Sequence, residues 1–152
     1  MIPEAKLIRN ELIIREMSLP EDVKLARKSL IRWIALSLGL IYPNETRQLL
    51  LEILDALFYF HAKKEQPTTE QIIAKLDEGK TEEDKVYPKA VYYHILKLKE
   101  MGLIDRKKGK IFFGNGDERK ISEILKEFYI SKVTTAFKDI EEAISRVEDG
   151  YK

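Results

Sequence analysis

The chain has 152 residues, 44% of them hydrophobic and 35% charged, with 27 Lys and Arg against 26 Asp and Glu for a net charge of +1. That length suits one domain, or one domain with helical extensions, and the apolar share is enough for a core. Zero cysteines exclude a disulfide framework and thiolate metal sites and fit a reducing compartment, so a cytoplasmic location is expected. The opening MIPEAKLIRNE has no apolar core behind a basic end, and the longest uncharged run, residues 33–44, falls short of the roughly 20 residues of a membrane span. Abundant Lys, Glu and Ile without Cys fit a thermophile.

A first helix is expected over residues 4–17, with Leu7, Ile8, Leu12 and Ile13 on its apolar face. Ser18 and Pro20 then open a second helix that runs to Leu38 and stops at Gly39. Its cations Lys24, Arg27, Lys28 and Arg32 recur three to four apart, which reads as a solvated face. Pro43 and Asn44 open a third helix, capped by Asn44 and reaching about Lys64. Its apolar residues (Leu49, Leu50, Leu51, Ile53, Leu54, Leu57, Phe58 and Phe60) cover more than one face, as a helix packed on several sides requires. Pro67 interrupts it. Thr68 and Gln71 form a capping-box pattern for a short fourth helix with Ile72, Ile73 and Leu76 inward. A charged loop covers residues 79–87.

Residues 88–114, PKAVYYHILKLKEMGLIDRKKGKIFFG, are the most informative stretch. Val91, Ile95 and Leu98 are spaced four and three apart on one helical face, and Gly102 ends the helix. Leu103 and Ile104 start a strand, and Arg106, Lys107, Lys108 and Lys110 crowd a turn at Gly109. Residues 85–110 carry eight basic side chains against Glu100 and Asp105, a net of +6, so the rest of the chain sums to −5. A local positive patch on a near-neutral chain is the footprint expected of phosphate contact. Beyond it, Asn115, Gly116 and Asp117 make a turn into a long helix from about Glu118 to Asp149. Ile121, Ile124, Leu125 and Phe128 keep an apolar face there. Val133, Phe137, Ile140, Ile144 and Val147 then continue at spacings of 4, 3, 4 and 3, a heptad-like seam suited to dimerisation.

The order helix, helix, helix, strand, strand over residues 44–114, and above all YYHILKLKEMGLIDRKKGKIFFG, resembles the winged helix-turn-helix of archaeal and bacterial regulators of the MarR, ArsR and PadR kind. The resemblance implies a mainly α fold with a small β-hairpin. It divides the chain into an N-terminal helical extension (1–43), a winged-helix domain (44–114) and a C-terminal dimerisation helix (115–152). It implies that the helix over residues 88–101 enters a major groove of double-stranded DNA. Lys89, Tyr92, Tyr93 and Lys97 would meet bases, with Leu96 also outward. Lys85 and the wing cations Arg106, Lys107, Lys108 and Lys110 would meet phosphate or minor groove.

One departure from that pattern is the acidic loop carrying Asp77, Glu78, Glu82, Glu83 and Asp84. With the near-zero net charge, it favours an alternative: a winged-helix protein-interaction module in a transcription, replication or chromatin assembly. A third reading is a ligand-responsive regulator whose effector pocket is lined by Trp33, Tyr42, Phe128 or Phe137. No catalytic pattern is visible, since His61 and His94 stand apart without HExxH, GxSxG or phosphate-loop spacing. Neither an enzyme nor a cofactor is expected, and His94, next to core Ile95, reads as a polar helix residue.

Overall fold

A computed structural model describes residues 1–152. The chain is mainly helical with one two-stranded antiparallel hairpin. The helices are α1 (Glu21–Lys24), α2 (Arg27–Ser37), α3 (Gln48–Ala62), α4 (Thr69–Leu76), α5 (Pro88–Met101) and α6 (Ile121–Asp149). The hairpin is β1 (Ile104–Lys107) and β2 (Lys110–Phe113). Two compact units result, Met1–Glu118 and Arg119–Lys152. No helix is long and apolar enough to cross a membrane.

α3 is the centre of the first unit and packs against α2, α4, α5 and β2. Leu50, Leu51, Ile53, Leu54, Ala56, Leu57 and Phe60 are all buried along it, so the multi-faced apolar pattern has its expected outcome. Ile72 and Leu76 of α4, and Val91, Ile95 and Leu98 of α5, close on that core. Leu103, Ile104, Ile111 and Phe113 seal its end, with the Phe113 ring 5.7 Å from Phe58 and 5.9 Å from His61. Each fully buried Leu, Ile or Phe contributes about 1.5–3 kcal/mol, so the hairpin is anchored by its inner face. The linker between α3 and α4 joins β2 through one bond, which the Ile111 N–H donates to the Pro67 carbonyl at 2.8 Å.

The expected capping box of α4 forms: Thr68 accepts from the Gln71 N–H, and the Gln71 side chain accepts from the Thr68 N–H. α5 begins with Pro88 and ends at Gly102 in the left-handed conformation, as its sequence indicates.

The N-terminal third departs from expectation. In place of a helix over residues 4–17 there is a 3-10 turn, Pro3–Leu7, followed by a strap without helix up to Pro20. Tertiary bonds override local helical periodicity here. The Arg15 N–H donates to the Ser37 carbonyl at 2.8 Å, and its guanidinium reaches the Ile41 carbonyl at 3.1 Å and the Leu36 carbonyl. Arg15 thus serves carbonyls of the last turn of α2 and that of Ile41 just beyond it. Along the strap Ile13, Arg15 and Met17 are half-buried while Ile14 and Glu16 are exposed, the alternation of an extended chain. Gly39 (φ +72°) lets the strap approach, because a Cβ there would stand 2.5 Å from the Ile13 Cβ. The Trp33 indole N–H donates to the Ser18 carbonyl at 2.7 Å and fastens the strap's far end.

The helix expected from Pro20 to Leu38 is broken in two by Ala26, whose backbone is extended. The cationic face of Lys24, Arg27, Lys28 and Arg32 is therefore interrupted, with Lys24 paired to Glu21 and Arg27 to Asp55. Asn44 does not cap α3. Glu45 reaches back to accept the Tyr42 N–H at 3.1 Å, closing a turn that delays the helix until Gln48.

Candidate nucleic-acid interface

α5, the hairpin and the first turn of α4 present one strip of surface. With Val91, Ile95 and Leu98 inward, the 3.6-residue period turns Lys89, Tyr93, Leu96 and Lys97 outward and sets Tyr92 on the flank. Leu96 is 52% exposed and Tyr93 47%, so these side chains serve no core role in the first unit. Lys97 lies 5.5 Å from the Tyr93 ring centroid and 3.7 Å from the Glu100 carboxylate, a cation already shared between a π-face and an acid. Lys89 has no acid within salt-bridge distance.

Tyr92 has a different environment from its neighbour. Its hydroxyl donates to Glu70 Oε1 of α4 at 2.6 Å. That bond, with help from the Glu70 backbone, the Thr68 hydroxyl and the Arg106 charge, holds the Glu70 carboxyl below its ordinary range. The same bond pushes the Tyr92 hydroxyl upward. Both groups therefore keep their neutral-pH forms, carboxylate and phenol. Tyr92 is thus committed to α4, while Tyr93 remains open to a partner. Nothing in the sequence marks Glu70 as its acceptor, since the two residues are 22 positions apart.

The hairpin tip concentrates unpaired cations. Lys107 stands directly opposite Lys110 in the antiparallel register, and Lys108 and Gly109 form the two-residue turn between them. Both turn residues have positive φ (+52° and +80°), the requirement of a type I′ hairpin. Lys107, Lys108 and Lys110 have no acidic partner. Like charges directly across a hairpin oppose its formation, so the tip is arranged at some cost to its own stability. Arg106 lies back towards Glu70 and Tyr92. The Asp105 carboxylate beside it is occupied by the Arg106 backbone N–H at 2.8 Å.

The acidic loop before α5 is largely self-contained. Asp77 Oδ1 accepts the Val86 N–H at 2.9 Å, and Asp84 accepts the Thr81 hydroxyl at 3.1 Å. Glu78 pairs with Lys75 at 3.5 Å and Glu82 with Lys85 at 2.7 Å. Glu83 alone has no such partner. Lys85 is thus neutralised locally, unlike the cations at the tip. His94 is half-buried on the other flank of α5, where burial and then the Arg47 charge lower its pKa from the ordinary 6.5.

α6 forms the second unit and extends about 43 Å at 1.5 Å per residue. Val133, Phe137, Ile140, Ile144 and Val147 are each between 44% and 59% exposed along it, and Ile130 extends the same row by one step. Thus Lys89, Tyr93, Lys97, Arg106, Lys107, Lys108 and Lys110 are gathered on α5 and the hairpin. Lys85 is held in the loop and Tyr92 against α4. Compared with known proteins, the chain matches no protein-family model, no curated protein and no solved structure.

Proposed function

We propose that this chain is a winged-helix regulator that binds double-stranded DNA as a homodimer. In this reading α3, α4 and α5 are the three helices of the unit, β1 and β2 its wing, and the Pro67 linker a vestige of a third wing strand. The observation that carries the reading is the cluster of three unpaired lysines at the hairpin tip, two of them opposed across the ladder. An array that repels itself is stabilised when a polyanion supplies the missing counter-charge. α5 lies beside it, offering Lys89, Tyr93 and Lys97 to base edges while Arg106 and the tip lysines follow the backbone. The exposed row on α6 is covered by α6 of a second copy, and a two-fold dimer suits two half-sites.

The decisive experiment is a titration of generic duplex DNA at low salt. Micromolar or tighter binding that weakens as salt rises is the expected result; absence of binding removes the DNA reading. Leu96 and Tyr87, 52% and 82% exposed, favour the second reading, in which the same strip receives a protein. In that case the strip binds no duplex at any salt concentration.

A further inference from the structure

Glu70 sits on the first turn of α4 with its side chain in solvent, so core packing does not explain it. Its surroundings are donors and positive charge. Tyr92 donates to it at 2.6 Å, its own backbone and the Thr68 hydroxyl also favour the charged form, and the Arg106 charge on β1 acts on it without an ion pair. Tyr92 and Arg106 also line one cleft of about 200 Å³ between α5 and β1, with Ile95, Leu96, Lys99, Ile104 and Asp105. A hydroxyl donor, a guanidinium and an unpaired lysine are groups that bind a phosphate oxygen, and the Asp105 carboxylate among them already accepts the Arg106 backbone N–H. The anion that now holds the Tyr92 hydroxyl is a carboxylate of the chain itself, that of Glu70.

We propose that Glu70 is an internal competitor for a backbone phosphate, occupying the Tyr92 hydroxyl beside Arg106 until nucleic acid displaces it. The inference rests on the DNA-binding reading and adds regulation to the same surface. Displacement requires only rotation of the Glu70 side chain into water, where the carboxylate recovers its hydration. Its effect is to lower sequence-independent affinity, so that binding depends more on the base contacts of α5.

The test uses the full chain and a fluorescein-labelled mixed-sequence duplex of about 20 base pairs, read by anisotropy over a salt series. Glu70→Gln keeps the shape, the exposure and the Thr68–Gln71 cap. It is expected to bind about fivefold tighter at low salt, with a slope of log affinity on log salt steeper by about 0.9, the increment of one phosphate contact. Adding Arg106→Ala to Glu70→Gln is expected to abolish the gain. Glu83→Gln removes an acid without a partner elsewhere and controls for net charge alone; it is expected to leave the slope unchanged. Wild-type slope and affinity in Glu70→Gln overturn the inference, as does a gain that survives Arg106→Ala or is matched by Glu83→Gln. Absence of duplex binding by both wild type and Glu70→Gln overturns the DNA reading, and the inference with it.

Discussion

The hairpin tip and the apolar row of α6 are both exposed surfaces, yet their chemistry is opposite. The tip gathers Lys107, Lys108 and Lys110 around a two-residue turn, with no acid among them. The α6 row gathers Val133, Phe137, Ile140, Ile144 and Val147, with no charge among them. A cationic cluster gains free energy by releasing counterions from a polyanion, so its binding falls steeply with salt. An apolar row gains by removing surface from water, so its binding is nearly indifferent to moderate salt. The two interactions proposed for these surfaces are therefore ones that ionic strength separates.

The largest expected effect breaks the apolar side of that contrast. Replacing Phe137 and Ile140 by Asp would place four carboxylates in the seam of the proposed dimer. At about 1.5–3 kcal/mol for each large apolar side chain withdrawn, dimer dissociation should rise by at least about a thousandfold. Light scattering is expected to give a monomer whose melting of residues 1–118 is unchanged. A dimer that persists at micromolar concentration would mean that α6 is not the seam.

The cationic side is tested by Lys107→Glu combined with Lys108→Glu. Duplex affinity is expected to fall about a hundredfold at 0.1 M salt, and the salt slope to flatten by about 1.8, two phosphate contacts at 0.9 each. The dimer is expected to remain intact. The Lys107→Glu change sets a carboxylate opposite Lys110 across the ladder, so the hairpin itself should be more stable by about 0.2–1 kcal/mol. Weaker binding by a better-folded hairpin cannot be attributed to unfolding. Unchanged affinity would remove the tip from the interface.

How far these regions were legible in the sequence differs for physical reasons. The α5–hairpin segment is dominated by local rules: the period of Val91, Ile95 and Leu98, the left-handed stop at Gly102, and a turn at Lys108 and Gly109. Each acts within a few residues, and each forms as its sequence indicates. The strap over residues 8–20 is decided at long range. Arg15 serves carbonyls of Ser37, Leu36 and Ile41, more than 20 residues away, and no local pattern encodes those acceptors. The same holds within the candidate site. The cations of α5 and the hairpin are visible as a charge window, whereas the capture of Tyr92 by Glu70 joins two exposed residues whose pairing only the packing of α4 on α5 creates.

A finer test separates charge from backbone at the tip. Lys108 has φ +52°, a conformation that Asn tolerates better than Lys. Lys108→Asn should therefore stabilise the hairpin by about 0.5 kcal/mol, a rise of one or two degrees in melting temperature. With one cation gone, duplex affinity should fall about threefold and the slope flatten by about 0.9. If affinity rose instead, pre-organisation of the turn would outweigh its charge.

The smallest expected effect concerns the flank of α5 that faces away from the cleft. His94 is half-buried, with the Arg47 charge acting on it and the Tyr93 ring 5.4 Å from its own, and both burial and Arg47 favour the neutral imidazole. A histidine whose folded pKa lies below its unfolded value binds its proton more readily when unfolded. Its contribution to stability is thus complete above pH 6.5 and declines as pH falls from there through the lower folded value. Between about pH 6.5 and 5 the ordinary carboxylates remain ionised, so this window isolates the histidines. His94→Gln cannot acquire charge, and His61 is common to both proteins. Chemical denaturation at about pH 7 and pH 5 is expected to show a smaller loss of stability in His94→Gln than in wild type. Equal losses would mean that protonated His94 is accommodated without cost beside Arg47, and that this flank of α5 is as open to water as the cationic tip.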